Sequence, residues 1–263
     1  MIRRETPGAW LLISQVDHAH LAAQIAERWG NSHVAALPDA ARLVPAIREH
    51  DAGWAEWERS PQIDPASGIP RSFLEMPMAV ATAIWSRSIA RAAADSPAGG
   101  LWVSRHFCWL AELAQKNRRS EPAEVAAVDE FLREQRVGQL FQADASRESV
   151  SNPQRVRQES LTYEEAGFRW LQFFDGLSLW LCCAPRDRPH SLPIPGGGEL
   201  WLKPRGDTSA GRIQLVPYPL DRPQITLTVT TRRVAARPFV TDASFQAAYQ
   251  AAEVQPLCWT FFA

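Results

Sequence analysis

Residues 39–54 read DAARLVPAIREHDAGW and end in an adjacent histidine and aspartate. Apolar side chains and His50 recur there at the spacing of one helix face, which predicts a helix that begins at or near Asp39. Gly53 predicts the end of that helix, because glycine commonly terminates helices. We therefore expect His50 and Asp51 in its last turn.

Helical periodicity continues on both sides of this stretch. A short apolar strand at residues 9–14 comes first, and further helices are predicted at residues 17–30, 78–94, 101–115, 122–142 and 161–183. The last of these helices is strongly apolar and carries Asp175 at its centre. A proline-rich and glycine-rich loop at residues 60–72 is long enough to act as a lid.

The composition changes sharply at Pro185 to Gly198, where prolines and a triple glycine cannot support a helix. Beyond it, alternating or apolar runs at residues 199–203, 212–216 and 224–231 predict strands. We therefore predict an α+β fold with a mainly α-helical core, residues 1–185, and a small antiparallel β unit, residues 186–263. Alternatively, the N-terminal strand completes the same sheet and the chain forms one body.

Charge and composition exclude several classes of function. The 263 residues include 28 Lys and Arg against 29 Asp and Glu, a formal charge of −1, so neither nucleic acid nor an anionic membrane is an expected partner. No apolar run is long enough for a membrane helix or a signal peptide. Four cysteines without CxxC spacing are typical of a reduced, cytoplasmic protein. A small-molecule substrate is the expected partner, and the oligomeric state stays open.

Metal ligation is the chemistry that the histidines and aspartates favour. His18, His50, Asp51 and Asp175 come from three predicted helices, and Fe, Mn and Zn bind imidazole and carboxylate groups that converge from several elements. The carboxylate of Asp175 stands among large apolar residues, so it must be paired, metal-bound or exposed. His20 is an alternative to His18.

The order His18, then His50-Asp51, then Asp175 resembles the HD-domain superfamily of helical, metal-dependent phosphohydrolases. The segment REHDAGW is similar to the end of that superfamily's His-Asp helix. The resemblance implies that these four residues ligate a divalent metal, which activates water for attack on a phosphate ester, with Asp51 also in the catalytic set. Since only His106 lies between the pair and Asp175, one ion is expected.

A second resemblance covers most of the chain. The segments QVDHAHLAAQIAERWG, AIREHDAGWAEWE, VSRHFCWLAELA and LQFFDGLSLWLCC are similar to an uncharacterised bacterial family, a domain of unknown function. This resemblance implies no activity.

Other residues receive weaker roles. His106 is predicted to act as a general acid or base, or to orient the substrate, and Arg48, Arg71 and Arg105 to contact an anion. Trp54 stands where HD proteins often have a lysine and is predicted to wall the substrate pocket. Three of the assignments have a structural alternative. His50-Asp51 would cap a helix end, and His106 and Trp54 would be core residues.

Three functions remain open at this point. The first is hydrolysis of a phosphate ester of a small molecule or nucleotide, the second is a non-catalytic ligand-binding or accessory role, and the third is oxygen activation by iron at the same ligands. The chain contains no GxxxxGK, HExxH, GxSxG or GxGxxG motif, so the enzyme classes that depend on these motifs have no support.

Overall fold

The structure is a computed structural model that describes residues 1–117, 121–147, 153–183, 188–206 and 211–263. Within these ranges, seven helices of ten residues or more pack against a mixed sheet of seven strands that forms a half-barrel. No helix in the same ranges combines the length and apolarity needed to cross a membrane.

The sheet draws strands from both ends of the chain. Its spatial order is β1-β2-β6-β7-β5-β4-β3; neighbours are antiparallel except for the parallel pair of β5 and β7. The longest strand, β6, buries alternate residues from Ile225 to Thr231, as the alternation of its sequence predicts, and then buries Val234. The strands are β1 (Ile2–Thr6), β2 (Ala9–Ile13), β3 (His190–Pro193), β4 (Glu199–Arg205), β5 (Arg212–Val216), β6 (Gln224–Ala235) and β7 (Glu253–Phe262).

The helices lie mainly between the N-terminal hairpin and β3. They are α1 (Gln15–Glu27), α2 (Ala40–Glu49), α3 (Ala55–Glu58), α4 (Met78–Asp95), α5 (Pro97–Asn117), α6 (Pro122–Arg147), α7 (Pro153–Cys183) and α8 (Asp242–Ala251). Short 3₁₀ helices occupy Ala52–Trp54 and Phe73–Glu75. The predicted helices thus occur close to their expected positions.

Helix α1 is the element that joins the helical layer to the sheet, since it packs against α2, α7 and β6. The indole of Trp29, just after α1, meets the rings of Trp170, Phe173 and Phe174 on α7 edge-on, with ring centres 5.2–5.4 Å apart. Burial of such large rings supplies much of the apolar contact in this core. The aromatic cluster therefore holds α1 and α7 side by side.

Helix α2 begins at Ala40, directly after Asp39 and close to the predicted start, but Asp39 does not cap it in the usual way. Its carboxylate makes no capping hydrogen bond and instead accepts from the guanidinium of Arg42, at 2.8 Å, and from the hydroxyl of Tyr163 on α7, at 2.5 Å. The side chains of Tyr163 and Arg42 hold the pKa of Asp39 below its usual value, against the opposing effect of burial. This contact ties the start of α2 to α7.

The predicted fold class is wrong. Strands make up 22% of the residues and are spread across the chain, instead of forming a small unit at the C-terminal end of a helical core. The N-terminal hairpin enters the sheet because β2 pairs with β6 across more than 200 residues of sequence, and local patterns do not specify such a partner. The parallel pairing of β5 with β7 makes the sheet mixed and not antiparallel. The predicted domain boundary at 185/186 lies outside the described residues.

Gly53, in the turn after the His-Asp pair, lies against the backbone of α4. Its N–H donates to the hydroxyl of Ser88 at 2.9 Å, and a β-carbon at this position would lie only 2.1 Å from the carbonyl oxygen of Ile84. No real β-carbon approaches backbone so closely, so glycine is required here. This close approach fixes the turn that carries Asp51.

We expect Gly53→Ala to lower the free energy of unfolding by about 1–3 kcal/mol, because the methyl group forces α4 away from the turn. Gly138, within α6, is the matched control: a β-carbon there meets nothing within 4 Å. Gly138→Ala should raise stability by about 0.5–1 kcal/mol. Urea denaturation of both variants measures the difference, and equal midpoints would contradict the close packing.

Candidate metal centre

His18 lies on α1, is buried, and has both ring nitrogens occupied. Its Nδ1 lies 2.7 Å from the hydroxyl oxygen of Ser178, and that hydroxyl donates to the carbonyl oxygen of Asp175. Since the hydroxyl proton is used in this way, Nδ1 of His18 is the donor to Ser178. The other nitrogen, Nε2, lies within hydrogen-bond distance of Asp51 Oδ2, at 3.1 Å, and 3.3 Å from Asp175 Oδ1; when the ring is neutral, this nitrogen presents a lone pair.

His50 follows the last residue of α2. As in His18, one of its ring nitrogens is held by a hydrogen bond and the other faces the two carboxylates. Its Nδ1 donates to the carbonyl oxygen of Ile47 at 2.6 Å, which caps the end of the helix. Its Nε2 lies 3.4 Å from both Asp51 Oδ2 and Asp175 Oδ1 and has no hydrogen-bond partner among the described residues. The capping role and the ligand role considered for His50 are thus compatible, because they use different nitrogens.

The two carboxylates converge from different elements. Asp51 is the first residue of the turn after α2, whereas Asp175 lies on α7, with Phe173, Phe174 and Leu177 turned away toward the core. Burial alone would raise the pKa of Asp175, but the facing imidazoles of His50, His106 and His18 hold that pKa well below its usual range. The pKa of Asp51 is lowered as well, chiefly by the charge of His50 against the effect of burial. Both groups are carboxylates.

Two carboxylate oxygens facing two imidazole lone pairs need a positive charge between them. A proton can supply it: burial would lower the pKa of His50, yet the charges of Asp51 and Asp175 raise it to about 9. A divalent ion can supply it too. Ligand atoms about 2.0–2.2 Å from one ion lie roughly 3.0–3.5 Å from one another, and the spacings of 3.1–3.4 Å found here match. We call His18, His50, Asp51 and Asp175 the His₂Asp₂ cluster. One ligand atom from each of His18, His50 and Asp51 lies within 4.8 Å of the other two, a group that could hold a metal ion, and Asp175 Oδ1 adds a carboxylate oxygen beside both histidines.

His106 lies on α5 beside the His₂Asp₂ cluster. Its Nε2 is 3.7 Å from Asp175 Oδ2, and its ring meets that of His50 edge-on with centres 5.8 Å apart. Burial lowers the pKa of His106 to about 4, so its imidazole is neutral. Its Nδ1 is buried and finds no hydrogen-bond partner within the described ranges. His106 therefore carries an unused polar atom next to the cluster. The exposed His20, the alternative first ligand, lies outside this arrangement.

A cavity of about 170 Å³ opens beside the cluster. His18, Asp51, His106 and Asp175 form its polar end. Its remaining wall is largely apolar and includes Trp54, Met78, Trp85, Phe107, Leu110 and Leu179. Trp54 thus lines the cavity, where we predicted a pocket wall.

The three arginines predicted to contact an anion do not line this cavity. Arg48 forms an ion pair with Glu27 on the surface, Arg105 pairs with Glu165 at 2.6 Å, and Arg71 donates to the carbonyl oxygen of Glu75. Closeness in sequence to the cluster residues does not bring them close in space, because long side chains on neighbouring turns point in different directions.

The predicted lid, residues 60–72, packs elsewhere. The N–H of Ile63 donates to Asp242 on α8 at 2.8 Å, and the N–H of Phe239 donates to the carbonyl oxygen of Gly68 at 2.8 Å. The cavity wall is formed instead by the residues that follow this loop, Phe73, Leu74 and Met76.

Two residues that we did not single out belong to the site. Ser178 supports His18 from α7, three residues after Asp175, and Gln15 lines the cavity from α1, three residues before His18. Residues three apart share a helix face, so this spacing was the available signal.

We expect Ser178→Ala to weaken binding of Mn²⁺ or Zn²⁺ by about 10–100-fold, because partners that orient ligating histidines affect metal affinity to that degree. Isothermal titration calorimetry measures the change. Ser86→Ala, on α4 and outside the site, should bind these ions like the wild type. Equal affinities for all three proteins would show that Ser178 does not support a ligand.

Comparisons with known proteins place the chain in a family. Residues 1–236 match the sequence profile of DUF3891, which is described as a protein of unknown function. No curated protein and no solved structure matches the chain. The predicted relationship to an uncharacterised family is confirmed, while the resemblance to the HD-domain superfamily stays a prediction. Because the match covers most of its length, the chain belongs to the DUF3891 family of proteins of unknown function.

Proposed function

We propose that this protein is a metal-dependent hydrolase that uses one divalent ion, Fe, Mn or Zn, to hydrolyse a phosphate ester of a small molecule. One observation carries the proposal: the Nε2 atoms of two imidazoles face oxygens of two carboxylates at the polar end of a cavity. His18, His50, Asp51 and Asp175 would hold the ion.

The charges and donors of the cluster support such an ion. Two carboxylates balance a charge of +2, and imidazole with carboxylate suits Fe, Mn and Zn. Each histidine also has its second nitrogen held by a hydrogen bond, to Ser178 or to the carbonyl oxygen of Ile47, which is the usual support of a ligating histidine. A bound ion would lower the pKa of a coordinated water and polarise the phosphate.

The overall reaction balances without a further reactant. The oxygen of water forms a bond to phosphorus, the bond from phosphorus to the ester oxygen breaks, and the organic group leaves as an alcohol that takes a proton from the water. His106, which lines the cavity beside Asp175, is placed to pass that proton. The apolar wall keeps bulk water away from the reacting atoms.

A second candidate is iron-dependent oxygenation of an apolar molecule. The observation that favours it is the largely apolar cavity wall beside a set of two histidines and carboxylates, a donor set that non-haem iron oxygenases also use. Oxygen-dependent turnover with iron, and no release of phosphate, would identify this activity.

We place the activity in the cytoplasm. All four cysteines, Cys108, Cys182, Cys183 and Cys258, are free thiols, which supports a reducing compartment.

Purification without chelator should yield protein with close to one equivalent of Fe, Mn or Zn, measured by elemental analysis. Asp175→Asn should lose the metal and reduce turnover of phosphate esters. The reduction should exceed the roughly 10–100-fold loss of activity that follows mutation of a residue that only supports a metal ligand. Asp221→Asn, an exposed residue paired with Arg28, is the matched control and should retain both metal and activity. Folded wild-type protein that holds no metal and takes up none would overturn the proposal and leave a non-catalytic role.

A further inference from the structure

The size of the cavity limits what it can hold. Its volume of about 170 Å³ is close to the roughly 150 Å³ of a buried apolar cavity that binds benzene, and well below the roughly 300–1,000 Å³ typical of pockets for larger ligands. A single ring or a short alkyl chain fits this volume, whereas a nucleoside is too large for it.

The wall of the cavity selects for an uncharged group. Trp54, Met76, Met78 and Phe107 are each buried and present apolar surface, and Trp85 adds a further ring. No lysine or arginine among the described residues lines the cavity. A charged group placed against this wall would lose its hydration without gaining a partner, which is costly.

Besides His106, a second polar side chain outside the His₂Asp₂ cluster lines this cavity. Gln15 is 2% exposed and lines the cavity, and its Oε1 has no hydrogen-bond partner in the part of the chain that the structure describes. Its backbone N–H is already used, since it donates to Glu58 at 2.7 Å. Because Oε1 is enclosed and unpaired, a rotation of the Gln15 amide that lets a ligand hydroxyl donate to it would remove the unfavourable burial of an unpartnered oxygen.

We propose that the cavity binds a small, uncharged, apolar organic group, one aromatic ring or a short alkyl chain, whose hydroxyl hydrogen-bonds to Gln15. Applied to substrate, this inference rests on the proposed function: the ester's phosphate lies at the cluster and its organic group fills the cavity. The alcohol that is released then donates to Gln15 Oε1. Gln15 is thus a contact for the product alcohol, and, by the size of the cavity, esters of nucleosides are poor substrates.

Binding of three probes to the full chain tests the proposal, with and without added Mn²⁺. Phenol and benzene should bind, by calorimetry or by quenching of tryptophan fluorescence from Trp54 and Trp85, whereas adenosine should not. Gln15→Leu should weaken phenol about tenfold, the effect of one neutral hydrogen bond, and leave benzene within about twofold. Failure of both phenol and benzene to bind, or adenosine binding as tightly as phenol, would overturn the proposal.

Filling the cavity supplies the structural control. Ala114→Phe, at the cavity wall, should abolish binding of phenol and benzene and leave metal content unchanged, while Ala83→Phe, on the exposed face of α4, should leave both unchanged. Thermal denaturation checks that each variant is folded. Phenol binding that survives Ala114→Phe would place the probe elsewhere, and an equal effect of Gln15→Leu on both probes would remove its assigned role.

Hydrolysis separates this inference from the proposed function. If the metal-loaded protein cleaves phosphate esters, phenyl phosphate should exceed adenosine monophosphate in kcat/KM by at least about tenfold. Metal-dependent cleavage with no such preference would refute the inference alone. Binding of phenol to folded protein that takes up no metal would refute the proposed function alone.

Discussion

Each of two imidazole nitrogens lies 3.1–3.4 Å from two carboxylate oxygens inside the helical layer, and the positive charge that these groups require constrains the elements around them. Without a cation, the carboxylates would repel the nitrogen lone pairs in a buried setting where water cannot screen them. With a proton or a divalent ion at the centre, the same groups attract one another. The arrangement therefore joins α1, the end of α2 and α7 at one point.

The rest of the fold holds these three elements in register. The aromatic cluster around Trp29 fixes α1 against α7, and the hydrogen bond from Tyr163 to Asp39 fixes the start of α2 against α7. The close contact of Gly53 with α4 fixes the turn that carries Asp51. The sheet supports this layer from one side, because β6 packs against α1 and pairs with the N-terminal hairpin. Packing far from the cluster thus sets distances within it.

The cavity and the cluster differ in what they contribute to function. The cluster supplies chemistry that could serve hydrolysis or oxygen activation, because both use imidazole and carboxylate ligands. In the proposed function, the cavity would discriminate among substrates by its volume and its apolar wall. The surface pairs of Arg48 and Arg105 keep both guanidinium groups out of the cavity, so a bound metal would be the main counter-charge for the phosphate of the proposed substrate.

The sequence by itself determined the helices and the set of polar residues within them. Hydrophobic periodicity located α2 and α7. The carboxylate of Asp175 in an apolar helix indicated that a partner must lie beside it, because an isolated buried charge is unstable. Only the tertiary structure decided which of these residues meet, since His18 and Asp175 are 157 positions apart in sequence. It also decided the sheet, whose β2-β6 and β5-β7 pairings are non-local, and excluded Arg48, Arg71 and Arg105 from the cavity. Local sequence patterns indicate which side chains of a segment are buried, whereas the long-range packing of side chains determines which other segment it packs against.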